Sequence, residues 1–145
     1  MSAENKALSR RLLDEAFNKG NVDIADEVLT SGFVNHDAAL PEATVGVQAA
    51  KASMTGYRTA FPDMQFTIED QFDSGDEVVT RWSARGTHQG DLMGIPATGK
   101  QATVTGITID RIEGSRIAES WTNWDTLGLM QQLGAIPTGA AKTSA

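Results

Sequence analysis

The sequence predicts a single α+β domain in which helices cover one face of a curved, mostly antiparallel sheet. Two observations carry that prediction. Apolar residues recur at three- and four-residue spacing through the first sixty positions, and from about residue 64 the spacing drops to two, cut into runs by Asp-Ser-Gly-Asp and Glu-Gly-Ser turns. The 145 residues fit one domain. It is placed at 1–136, with the small, polar residues 137–145 as a flexible C-terminal tail.

The elements follow in order. Leu8, Leu12, Leu13, Ala16 and Phe17 give one helix over about 3–18. Gly20 suits the left-handed position after it, and Asn21 can cap the next helix, whose stripe is Ile24, Ala25, Val28 and Leu29. Phe33 to Asp37 reads as a brief extended segment. Ala50, Met54, Tyr57 and Phe61 fall in register on a third helix over about 47–60, which Pro62 ends by disfavouring helical geometry in the residue before it. Strands are expected at 64–72, 77–87, 101–112 and 116–124, and a short last helix at 126–133 ends at Gly134. The Gly- and Pro-rich stretch from His88 to Lys100 is a long connection.

Composition narrows the function. A net charge of −7 argues against a phosphate-backbone partner, so no nucleic-acid binding is expected. No run approaches the roughly 20 apolar residues that span a bilayer. The N-terminus has no apolar signal region, so no membrane association and a cytoplasmic location are expected. The absence of cysteine excludes disulfides and thiolate chemistry. Two histidines without an HExxH arrangement make a metal site unexpected. GxGxxG, GxxxxGK[ST] and GxSxG are absent, which removes the common dinucleotide, P-loop and hydrolase readings.

Strand alternation sorts the candidate chemistry. Ile117, Glu119, Trp121, Asn123 and Asp125 share one side of the last strand, and Val78, Thr80, Trp82, Ala84, Gly86 and His88 share one side of the second. Both sets are taken as concave, because the opposite side of the second strand carries Arg81 and Arg85. Trp82 and Trp121 then read either as core or as pocket walls. Glu119 on an apolar face must be paired or protonated. Asp125 has two readings: a cap for the last helix, or a proton shuttle at the pocket rim, its acidity weakened by desolvation. His36 is a base, a donor to a carbonyl, or a loop-end residue bonded to Asp37. His88 reads as an exposed loop residue or a pocket residue.

The stretch from Gly86 to Gly134, with FVNHD and FPDMQFTIED upstream, resembles the SnoaL-like polyketide (ester) cyclases. The most telling piece is ExWxxxDxxGLxxQLG, here Glu119, Trp121, Asp125, Gly128, Leu129, Gln132, Leu133 and Gly134. The resemblance implies a nuclear-transport-factor-two-like cone and a cofactor-free intramolecular aldol ring closure on a small activated carbonyl or ester. It makes Asp125 the acid/base and His36 its polar partner; Asn35, Tyr57, Trp82, His88, Glu119, Trp121 and Asn123 are taken as the substrate contacts of the pocket. It also implies a homodimer or homotetramer, with Val79, Arg81 and Ser83 on the outward face. The alternatives are enol proton transfer or hydrolysis on the same fold, or a binding or dimerisation domain without catalysis.

Overall fold

A computed structural model describes residues 2–136; the tail expected at 137–145 lies outside the described residues. The first helix, α1 (Ser2–Arg11), runs on into a wider π-helical stretch, Leu12–Asn18. Leu8, Leu12 and Phe17 nonetheless pack on one core, as their spacing predicts. Gly20 follows at φ +78. Asn21 holds the N-cap position of the next segment, but its side chain makes no capping bond; its carbonyl instead accepts the Ile24 N–H. The entry is therefore a 3-10 turn, Val22–Ile24, leading into a single helical turn, α2 (Ala25–Val28).

The brief extended segment becomes a nine-residue strand, β1 (Leu29–Asp37), hydrogen-bonded to a two-residue strand the spacing does not reveal, β2 (Thr44–Val45). Helix α3 (Val47–Ala60) stops before Pro62, with the Phe61 N–H closing the last turn on Tyr57. Then come β3 (Gln65–Ser74), β4 (Glu77–Thr87), β5 (Gln101–Glu113), β6 (Arg116–Trp124) and α4 (Thr126–Gln132). The β5–β6 turn has positive φ at both Gly114 and Ser115, the geometry that matches the twist of a tight hairpin. The six strands form one sheet in the order β2-β1-β6-β5-β4-β3, antiparallel except for the β1–β6 pair.

Two apolar clusters sit on the concave side. One joins Leu8, Ile24, Val28 and Met54 to Leu29, Val78, Ile112 and Ile117; the other joins Phe61, Met64, Leu92, Leu129 and Leu133 to Ala102. Between them the sheet presents polar rungs. Asn35, Ser120, Asp110 and Val78 lie in register across β1, β6, β5 and β4, followed by Asp37, Thr122, Thr108 and Thr80. Trp124, Gly106 and Trp82 make the next rung. Gly106 is required there: a Cβ would come within 2.3 Å of the Trp82 ring and 2.8 Å of Trp124.

One face assignment is corrected by this register. Strand β6 carries an extra residue at Ala118, so Arg111 and Ile112 of β5 face Glu119 and Ile117. The bulge lets Ile117 enter the core and then reverses the parity beyond it. Ser120, Thr122 and Trp124 face the concavity; Glu119, Trp121 and Asn123 face outward.

Candidate active site

The concave face, α1, α3 and α4 enclose a cavity of about 170 Å³ with largely apolar walls. Phe17, Phe33, Met54, Phe61, Phe66, Trp82 and Trp124 are among its lining residues. Its polar groups include those of the rungs described above, together with Ser9 and Tyr57. Largely apolar walls around a few convergent polar groups suit an uncharged, ring-containing small molecule.

Two carboxyl groups line this cavity. Asp37, at the end of β1, is buried. Its Oδ2 accepts from the Tyr57 hydroxyl at 3.1 Å, and its Oδ1 accepts from Trp124 Nε1 at 3.0 Å and the Ala39 N–H at 2.9 Å. Tyr57 is held in its protonated, donating form, its pKa raised by burial and by the adjacent Asp37 charge. The ring of Tyr57 also meets Trp124 edge-on at 6.2 Å. The second carboxyl, Asp110, lies 2.6 Å from Ser9 Oγ and 2.5 Å from Ser120 Oγ. Burial pushes its pKa up, and the two serine hydrogen bonds only partly oppose that.

The threonine rung is tied into the walls. Trp82 Nε1 donates to Thr108 Oγ1 at 3.0 Å, Thr108 and Thr122 hydroxyls meet at 3.2 Å, and Gln71 Nε2 donates to Thr80 at 3.2 Å. Asn35 lines the cavity with its Oδ1 buried and unpartnered.

The structure distributes the sequence-predicted residues differently from the expectation. Asn35, Tyr57 and Trp82 line the cavity. Asp125 does not: it is exposed, and its carboxylate accepts the Gly128 N–H at 2.8 Å as the N-cap of α4. His36, Glu119 and Trp121 form a separate group on the outer face. His36 Nε2 lies 2.7 Å from Glu119 Oε2, its ring stacks on Trp121 at 5.6 Å, and Arg111 donates to the other Glu119 oxygen at 3.3 Å. The hydrogen bond from His36, aided by Arg111, holds the Glu119 pKa below its usual value. Asn123 is exposed on that outer face.

His88 is not an exposed loop residue. It is fully buried against Phe61, with Nδ1 3.0 Å from Thr98 Oγ1 and accepting the Thr98 N–H at 3.3 Å. Its backbone also pairs with Lys100 and Gly99, so it fastens both ends of the long connection without lining the cavity.

The residues that strand reasoning passed over are Asp37, Asp110, Ser9, Ser120 and Trp124. A signal existed for two of them. Odd positions from Leu29 through Phe33 lead to Asn35 and Asp37, and even positions from Ala102 through Thr108 lead to Asp110. Among the described residues, no three His, Asp or Glu side chains converge as metal ligands.

Residues 7–133 match the profile of the SnoaL-like polyketide cyclases. The chain is 32% identical over 133 residues to the aklanonic acid methyl ester cyclase DnrD of Streptomyces peucetius, covering 88% of each. It is equally identical to the cyclase of the same name, DauD, from a Streptomyces species, covering 88% of this chain and 80% of the relative. Among solved structures, TsrD of Streptomyces laurentii superposes with a TM-score of 0.83 at 30% identity, covering 92% of this chain and 97% of TsrD. A SnoaL-like protein of a Jannaschia species superposes with 0.86 at 25% identity, covering 94% and 95%.

Proposed function

The chain belongs to the SnoaL-like polyketide cyclase family, and from that premise we propose that it closes a carbon ring by a cofactor-free, intramolecular aldol-type reaction with Asp37 as the base. The observation that carries this reading is the placement of Asp37 inside the apolar cavity, on three donors from Tyr57, Trp124 and Ala39. Those donors fix the carboxylate and leave one lone pair, on Oδ2, for substrate.

The reaction balances without an oxidant or added group. Asp37 takes a proton from a carbon flanked by carbonyl or ester groups, and the C–H electron pair moves onto the carbonyl oxygen as an enolate. The enolate carbon attacks a ketone or aldehyde carbon of the same molecule. The new C–C bond forms as the attacked C=O pair moves to oxygen, which recovers the proton from Asp37. General base help of this kind is worth roughly 10²- to 10⁴-fold. Apolar walls add to it by holding the two reacting carbons together.

The cavity and the relatives' names support an ester substrate. The cavity carries two carboxyl groups, and the one arginine among its lining residues, Arg85, is exposed. A free carboxylate on the substrate would therefore be buried beside the Asp37 carboxylate, whereas an ester avoids that cost. Aklanonic acid methyl ester is accordingly the first compound to offer. Chromatography with mass detection should show an isomer of unchanged mass. Asp37→Asn should slow its formation at least 100-fold, while Asp125→Asn should leave the rate within about twofold. Full activity in Asp37→Asn, or its loss in Asp125→Asn with the fold intact, would move the base back to the helix cap.

A further inference from the structure

Three side chains of the cavity wall stand side by side: Asn35, Ser120 and Asp110, in register across β1, β6 and β5. All three line the cavity, as does Ser9 of α1. Asp110 is only 4% exposed, and no ion pair among the described residues includes it. Its two oxygens meet hydroxyls alone, those of Ser9 and Ser120. With nothing positive to replace lost water, such a carboxyl group is favoured as the neutral acid.

Neutrality has a consequence for the serines. A carboxylate would take a hydrogen from each, leaving neither able to donate elsewhere. The neutral acid instead donates its own O–H to one serine oxygen, and that serine's hydrogen is released. Ser120 is the one whose neighbour in the rung lacks a partner: Asn35 Oδ1 is buried and unbonded. A half-turn of that amide, which hardly alters its outline, places an N–H where the oxygen stands. Ser120 and Asn35 then hold two donors side by side in the cavity wall.

We propose that Ser120 and Asn35, with neutral Asp110 behind them, form an oxyanion-binding subsite for the carbonyl whose α-carbon Asp37 deprotonates. This rests on the ring-closure reading for the identity of the reacting group. Asn35 and Asp37 lie two residues apart on one face of β1, about 7 Å along the strand. A C–H carbon and its carbonyl oxygen, joined through one C–C and one C=O bond, span that distance with a hydrogen bond of about 3 Å at each end. As the C–H pair moves onto oxygen, the charge grows where Ser120 and Asn35 donate. Such donors act in the transition state more than in the ground state. Ser120 and Asn35 touch the substrate; Asp110 acts through Ser120 and is a positioning residue.

The test uses substituted 2-naphthols, whose oxygen resembles that of an aromatic enolate, and needs no turnover. The protein carries Asp37→Asn, which imitates the base after it has taken the proton. Absorbance reads whether bound naphthol is ionised, and titration reads affinity across a series of increasing acidity. The subsite predicts that the anion is bound preferentially and that affinity rises with acidity. Adding Ser120→Ala or Asn35→Leu should lower affinity for the most acidic naphthol at least tenfold and for the least acidic less than threefold. Asp110→Asn, which keeps a neutral donor, should stay within about threefold. Binding of the neutral form only, no binding, or naphtholate bound over tenfold tighter in Asp110→Asn would overturn the proposal, the last because it would mean that the native carboxyl is charged. Preferential naphtholate binding without conversion of the methyl ester would instead overturn the reaction and leave the subsite standing.

Discussion

Asp110 couples the cavity to stability through its own titration. Its folded pKa lies above the ordinary carboxylate value because burial disfavours the charge. Below the unfolded value, near 3.9, both states hold the proton and the contribution is fully present. As pH rises from there toward the folded pKa, the unfolded chain releases its proton first, and stability falls by up to about 1.4 kcal/mol per pH unit. Glu119 and Asp63 have the opposite sign, since their pKa values are lowered by hydrogen bonds, the first mainly from His36 and the second mainly from the Thr87 N–H. The informative measurement is therefore a difference: urea unfolding of the protein and of Asp110→Asn from pH 4 to 7. The stability of the unmodified protein relative to the variant should decline across that window. A flat difference would mean that Asp110 folds as a charged group. Little of this was legible in the sequence, because an aspartate in an alternating strand declares its face only when the apolar positions around it are read with it.

At the scale of one element, a single extra residue explains why the site was misread along the last strand. Alternation counted from Ile117 carries Trp121 and Asp125 to the concave side, whereas the bulge at Ala118 sends Trp124 there instead. The strand itself, its turn and the helix after it were all legible from period and turn residues; a bulge leaves no comparable mark. The cap reading of Asp125 was legible too, but the same acid before a helix serves a cap or a pocket, and only the face could separate them. Its neighbours now do so. Gly128 donates its N–H to Asp125 Oδ1, and a Cβ on Gly128 would sit 2.1 Å from Oδ2. Asp125→Ala should therefore cost about 1 kcal/mol and Asp125→Asn a few tenths. Gly128→Ala should cost at least as much as Asp125→Ala, although alanine is the better helix former. A stabilised Gly128→Ala, measured by thermal unfolding, would show that the cap is not what holds α4.

Among the described residues, nothing covers one broad face of the sheet. On that side Phe72, Val79, Ile109, Trp121 and His36 run in register across five strands. Phe72 is 54% exposed and Ile107, one rung away, 46%. An apolar band of this breadth is larger than the scattered apolar residues of an ordinary surface. The rungs on either side of it carry Arg81 and Glu77, both on β4. A two-fold axis lying along the apolar band would set Arg81 of one copy over Glu77 of the other, so the face complements itself in charge as well as in apolar character. We propose that a second copy of the chain covers it, which selects the homodimer from the homodimer or homotetramer that the family resemblance implies. The cavity lies on the opposite side of the sheet, so pairing here leaves it free. Light scattering after size exclusion should give twice the mass of the single chain. Ile107→Glu, which sets a charge beside the band, should halve that mass at micromolar protein while leaving ester conversion within about threefold. A protein that runs as a single chain before any substitution would refute the pairing. A dimer that survives both Ile107→Glu and Val79→Arg would place the contact on another surface.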